Sequence, residues 1–86
     1  MKRLPRLDLN LLQIFDAIYT KGGVSAAASH LNLSQPAISH ALAKLRAMLD
    51  DPLFIRQGNR LVPTGTARAV AEPIHAALRE LVAALD

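Results

Sequence analysis

The stretch Val24–Leu49, VSAAASHLNLSQPAISHALAKLRAML, decides the fold. It reads as two short helices joined by a tight turn, with a second start signal at Ser34. The first helix supplies Ala26, Ala27, Ala28 and Leu31, small or apolar residues that let another helix come close, and Asn32 stands where the chain must turn. Ser34 is placed to cap the next helix, its hydroxyl accepting from a first-turn N–H. Pro36 falls in that first turn, where an N–H has no partner within the helix to lose. The spacing predicts a helix restarting at Gln35.

On this second helix Ile38, Leu42, Leu45 and Leu49 recur at steps of four, three and four, a stripe that points into a core. Turning by about 100° per residue puts Pro36, Ser39, His40, Ala43 and Ala47 on the opposite face, with Gln35 in the exposed first turn and Lys44 and Arg46 on the flanks. A merely solvated face is usually filled with Glu and Lys at helical spacing. Here no acid appears until Asp50. A face with hydrogen-bonding side chains near a helix N-terminus and no negative charge suits a major groove, where Gln can read adenine and Ser either base edge.

The wider sequence carries a resemblance. Leu9-Asn10-Leu11-Leu12 with Phe15-Asp16-Ala17, then Ser25, Ala27-Ala28, Leu31, Leu33-Ser34-Gln35-Pro36-Ala37 and Ser39, and finally Leu45-Arg46, Asp51-Pro52-Leu53-Phe54 and Arg56, closely resemble the N-terminal domain of LysR-type transcriptional regulators. The resemblance covers nearly the whole chain, and its Asp-Pro-Leu-Phe segment is similar to the NodD-like and aromatic-degradation branch. It implies a mainly α winged helix-turn-helix, a three-helix core with a two-stranded β wing, followed by a long linker helix that dimerises. It also implies a bacterial cytoplasmic regulator binding an interrupted palindrome with T and A at its ends. Any small-molecule effector acts through a larger domain missing here, so the chain is expected to be an excised DNA-binding part or a stand-alone version. The resemblance carries over most firmly at Ser34, Gln35, Pro36 and Ser39; at position 40 many relatives have arginine, where this chain has His40.

Eighty-six residues make one small domain whose core needs support beyond itself. With no cysteine, neither a disulfide framework nor a cysteine-based metal site supplies it, which leaves dimerisation. No apolar run approaches a membrane span, and the N-terminus lacks the apolar stretch of a secretory signal. The net charge is +3 and the isoelectric point near 10.0. Before Thr64, eight Lys/Arg face four Asp/Glu, giving +4; from Thr64 onward two face three, giving −1. The basic character therefore belongs to the reading head, as approach to phosphates requires.

Along the chain, the basic arm Met1 to Arg6, broken by Pro5, is placed to brush the DNA backbone. A scaffold helix from Asp8 or Leu9 to Thr20, capped by Asp8 or Asn10, turns Leu11, Ile14, Phe15 and Ile18 inward and stops at Gly22-Gly23. Tyr19, Phe15 and Phe54 are too few for a base-stacking platform, so duplex DNA is a better partner than a single strand. After Asp50-Asp51-Pro52, Leu53 to Arg56 and Arg60 to Val62 read as strands around Gln57-Gly58-Asn59. Arg56 and Arg60 frame the tip of this hairpin.

Thr64 caps the last helix, in which Ala67, Ala71, Ile74, Leu78, Leu81 and Leu85 step by four, three, four, three and four. At roughly 30 Å this helix is too long to pack entirely on so small a domain, so its seam is assigned to dimerisation, with its first half also packing on helix one. Pro73 interrupts it. Residues 1–63 are thus expected to form the reading domain and residues 64–86 the linker.

Base edges are assigned to Gln35, Pro36, Ala37, Ser39 and His40. Phosphates are assigned to Ser25, Ser34, Lys44, Arg46, Arg56 and Arg60. His30, His40 and His75 are scattered, and Glu72-x-x-His75 lacks the further acids that a bundle metal site needs. Ser39 and His40, as helix neighbours, point about 100° apart and make no nucleophile–base pair. Neither a cofactor nor an enzymatic activity is indicated. A non-specific architectural DNA binder and a helical protein-association module remain as alternatives.

Overall fold

The structure, a computed structural model, describes residues 7–86; the Met1 to Arg6 arm lies outside the described residues. Its elements are α1 (Leu9–Lys21), α2 (Val24–Leu31), α3 (Gln35–Leu49), β1 (Phe54–Gln57), β2 (Arg60–Pro63) and α4 (Gly65–Leu85). This mainly helical architecture, three helices with a two-stranded wing and a long last helix, is the expected one.

Local signals fix most boundaries. Asp8 caps α1 by accepting from the Asn10 N–H at 2.9 Å, and Gly22 ends it with φ of 86°, a left-handed conformation that suits a residue without Cβ. Asn32 takes the left-handed position after α2, at φ 58°. Ser34 Oγ accepts from the Ala37 N–H at 3.2 Å, so α3 restarts as its sequence dictates.

The core forms where the three helices meet. Phe15 and Ile18 of α1, Ala27 and Ala28 of α2, and Ile38, Leu42 and Leu45 of α3 are buried, while Ala26 is exposed and takes no part in that close approach. Ala41, outside the expected stripe, is buried as well. Phe54 closes the core from the wing side, its ring centroid 5.6 Å from that of Phe15 and 6.5 Å from that of Tyr19. Fully burying side chains of this size stabilises the fold by about 1.5–3 kcal/mol each.

The core does not stop at residue 63. Ala67 and Ala71 of α4 are buried within it, and Ile74 packs partly against it. This corrects the assignment of Ala67 and Ala71 to a dimer seam: the a/d stripe is continuous in sequence, but its first two members already have a partner inside their own chain. Leu81 and Leu85 are 44% and 87% exposed, beside Val82 at 63%.

Candidate nucleic-acid interface

The site begins with α3. Its inner stripe is held in the core, so the rotation of the helix is fixed and the remaining face is necessarily presented outward. Gln35, Pro36, Ala37, Ser39, His40, Ala43, Lys44 and Ala47 are all exposed. No acid lies in its first turn; Asp50, at the far end, is the C-cap at φ 51°. Small residues at 37, 43 and 47 keep the outer profile of the helix low, which lets its backbone approach a groove floor.

The turn from α2 brings two assigned residues together. Gln35 Nε2 lies 3.4 Å from Ser25 Oγ, a long hydrogen bond between the first residue of α3 and the first turn of α2. Ten positions apart in the sequence, the two carry no local signal of this contact. No side chain caps α2 at Gly23, so Ser25 stands beside first-turn N–H groups free of a capping side chain. Ser34 uses its oxygen as the α3 cap, and its O–H remains a donor.

Arg46, assigned to phosphates from the sequence, also makes two contacts within the chain. Its Nε donates to the Pro52 carbonyl at 2.7 Å and its Nη2 to the Phe54 carbonyl at 3.1 Å. The planar fork of a guanidinium matches two such acceptors, so Arg46 ties the end of α3 to the start of β1. It orients the wing relative to α3.

The junction it grips is a dense polar knot. Asp51 Oδ2 accepts from the Leu53 N–H at 2.8 Å and from Thr64 Oγ1 at 2.7 Å, and the Thr64 N–H donates to the Leu53 carbonyl at 2.9 Å. Leu53 sits at φ 65°, a conformation that costs a Cβ-bearing residue about 1–2 kcal/mol, yet its side chain is fully buried. Core burial and the bonds from both sides hold it there. Hydrogen bonds from Thr64 and from the Leu53 backbone keep the Asp51 carboxyl below its usual range against the opposing effect of desolvation, with a smaller contribution from Thr66.

In the wing, β1 and β2 pair antiparallel, Arg56 opposite Leu61 and Gln57 opposite Arg60, closed by Gly58-Asn59 with Gly58 at φ 61°. Paired residues share a face and neighbours along a strand alternate. Arg56 and Arg60 therefore project from opposite faces of the hairpin. Both are exposed, so the two guanidinium groups are presented in different directions.

Among the described residues no group of three or more His, Cys, Asp or Glu side chains is placed to hold a metal ion. His75 faces Asp16 of α1, with Nδ1 to Oδ1 at 2.8 Å, a contact spanning 59 positions that the Glu72-x-x-His75 reading did not contain. No helix of the described residues is long and apolar enough to cross a membrane.

Residues 9–68 match the family described as bacterial regulatory helix-turn-helix protein, lysR family. The chain belongs to the LysR family. Nodulation protein D 2 of Bradyrhizobium sp. (strain NC92) is 47% identical over 79 residues, 92% of this chain and 23% of that protein. The crystal structure of a probable transcriptional regulator from Pseudomonas aeruginosa superposes with a TM-score of 0.90 at 55% identity, over 95% of this chain and 28% of that one. A CbnR DBD–DNA complex matches with a TM-score of 0.80 at 27% identity, over 91% of this chain and 90% of that one. The chain thus spans about a quarter of the length of the curated LysR-family relatives it matches.

Proposed function

We propose that this chain binds duplex DNA sequence-specifically as a homodimer, each protomer laying α3 in a major groove, and that it is the DNA-binding part of a bacterial LysR-type transcriptional regulator. One observation carries the reading: the outer face of α3 from Gln35 to Ala47 is exposed and free of acidic side chains. The likeness to the DNA-bound CbnR DBD supports it.

Gln35, Ser39 and His40 meet base edges, and Pro36 and Ala37 make apolar contact with thymine methyl groups. Ser25, Ser34 and Lys44 hold phosphates beside the reading helix, while Arg56 and Arg60 reach the backbone or minor groove from the two faces of the wing. Arg46 acts through the wing and not at the DNA. Ile74, Leu78, Leu81 and Leu85 form the dimer seam of α4, with Val82 beside it. A two-fold dimer presents two α3 helices to one side of the duplex, which calls for an interrupted palindrome.

Residues 1–63 read, supported by the buried start of α4, and the distal part of residues 64–86 pairs. The chain works by binding alone, without catalysis or cofactor, in the bacterial cytoplasm, and effector sensing belongs to a further domain of the regulator. The test is competition on a duplex selected from a random pool. The selected site should be held about a thousandfold or more tighter than random duplex, with two protomers bound. Equal affinity for both contradicts specific reading, and no binding at low salt contradicts duplex recognition altogether.

A further inference from the structure

Helix α4 is anchored at one end and free at the other. Thr64 caps it and Ala67 and Ala71 are buried in the core, whereas Leu81, Val82 and Leu85 stand exposed. Between the two halves lies Pro73, which has no N–H to bond the Ala69 carbonyl and so makes a break in the backbone hydrogen bonding of an otherwise continuous helix. Sharp helix bends, above about 20°, are characteristic of such positions.

The first polar side chain beyond that break is His75, and it is tied back to the reading head. Its Nδ1 is 2.8 Å from Asp16 Oδ1 in the middle of α1. A carboxylate only accepts, so Nδ1 carries the hydrogen. The carboxylate side is 23% exposed and the ring side 40%, so the pair is partly shielded from water. Among the described residues it is the one side-chain hydrogen bond between α1 and α4.

We propose that the Asp16–His75 hydrogen bond is a latch across the Pro73 break: it fixes the direction of the distal half of α4 relative to the reading head, and so sets the half-site spacing that the dimer accepts. Asp16 and His75 are positioning residues that touch no base. The proposal rests on the dimer reading above. Its leverage is geometric, since the segment from Pro73 to Leu85 is roughly 18 Å long at 1.5 Å per residue. A swing of about 10° at Pro73 moves its tip by about 3 Å, close to the rise of one base pair, about 3.4 Å. A weak contact can therefore set a register even though it adds little to stability.

The experiment measures the affinity of the 86-residue chain for duplexes carrying two selected half-sites at separations varied by single base pairs, and for a duplex carrying one half-site. The wild type should show a sharp optimum, losing about tenfold or more one base pair away, because a second half-site contributes only where both heads reach it together. His75→Ala and Asp16→Ala should flatten that optimum to within about threefold while leaving one-half-site affinity within about twofold of wild type. Asp16→Asn, which keeps an oxygen acceptor, should retain the sharp profile. Pro73→Ala added to His75→Ala should restore it, by returning the backbone bond to Ala69. Variants with the wild-type profile overturn the proposal, as does a loss of equal size on the single half-site, which makes the contact a general support of the head. A wild type indifferent to separation overturns the dimer reading itself, and is distinguished from failure of the latch by the wild-type curve alone.

Discussion

Thr64 Oγ1 lies 2.7 Å from Asp51 Oδ2 and 3.1 Å from the Ala67 nitrogen, so one hydroxyl donates to the base of the wing and accepts as the cap of α4. The wing, the end of α3 and the start of α4 are thereby joined at a single point. This explains why an Asp-Pro-Leu-Phe segment precedes the wing: Asp51 receives the Leu53 N–H, Pro52 and Phe54 offer carbonyls to Arg46, and Leu53 fills the core.

The knot makes stability depend on acid. Asp51 is held below its ordinary value in the folded chain, so in the window between the folded and unfolded values the unfolded chain binds more protons. Its contribution is complete above about pH 5 and is lost progressively as the pH falls through the unfolded and then the lowered value. Urea denaturation across this range should show stability falling with acid, and Asp51→Asn should flatten that slope. Thr64→Val should both flatten the slope and lose about 0.5–2 kcal/mol of capping at neutral pH, which Thr64→Ser should restore. An unchanged slope in both Asp51→Asn and Thr64→Val contradicts the assignment.

Arg46→Ala should lower stability by about 1–3 kcal/mol, since two carbonyls lose a charged donor, while leaving the salt dependence of DNA binding nearly unchanged. Arg46→Lys should not rescue it, because one ammonium cannot replace a planar fork. A variant with wild-type melting behaviour and a reduced salt slope returns Arg46 to the phosphates.

The wing arginines act separately. Their opposite faces predict that Arg56→Ala and Arg60→Ala each weaken cognate and random duplex alike, each reducing the salt slope by about one, and that the double variant shows the sum within about 0.5 kcal/mol. Measured coupling well beyond that would mean that both reach one phosphate.

How much of this was legible follows from the range of each signal. Ser34, Pro36 and Asn32 act on backbone groups within four residues, so the restart of α3 and its exposed face could be read directly. The α4 stripe was equally plain, but periodicity says only that a face is buried, not against what, and Ala67 and Ala71 went to their own core. Arg46 on a helix flank looks the same whether it meets a phosphate or a carbonyl. The Asp16–His75 contact and the left-handed Leu53 depend on where distant elements pack, and no neighbouring residue announces them. An Asp followed by Pro two positions before an apolar pair was the available hint that the Leu53 N–H needed a side-chain acceptor.

The two halves of α4 should respond differently to the same change. Leu81→Asp or Leu85→Asp should convert a dimer into monomers in sedimentation, with the melting of the head little altered. Ala71→Asp, placing an unpaired charge in the core, should unfold the domain. Dimers that survive both distal substitutions would place the seam elsewhere.

If the outer face of α3 reads bases, Gln35→Ala should remove part of that reading and nothing else. On a duplex selected by the wild type, the variant should lose about 1–3 kcal/mol, with binding to random duplex unchanged and discrimination lost at one symmetric pair of positions. Equal losses on selected and random duplex would contradict it.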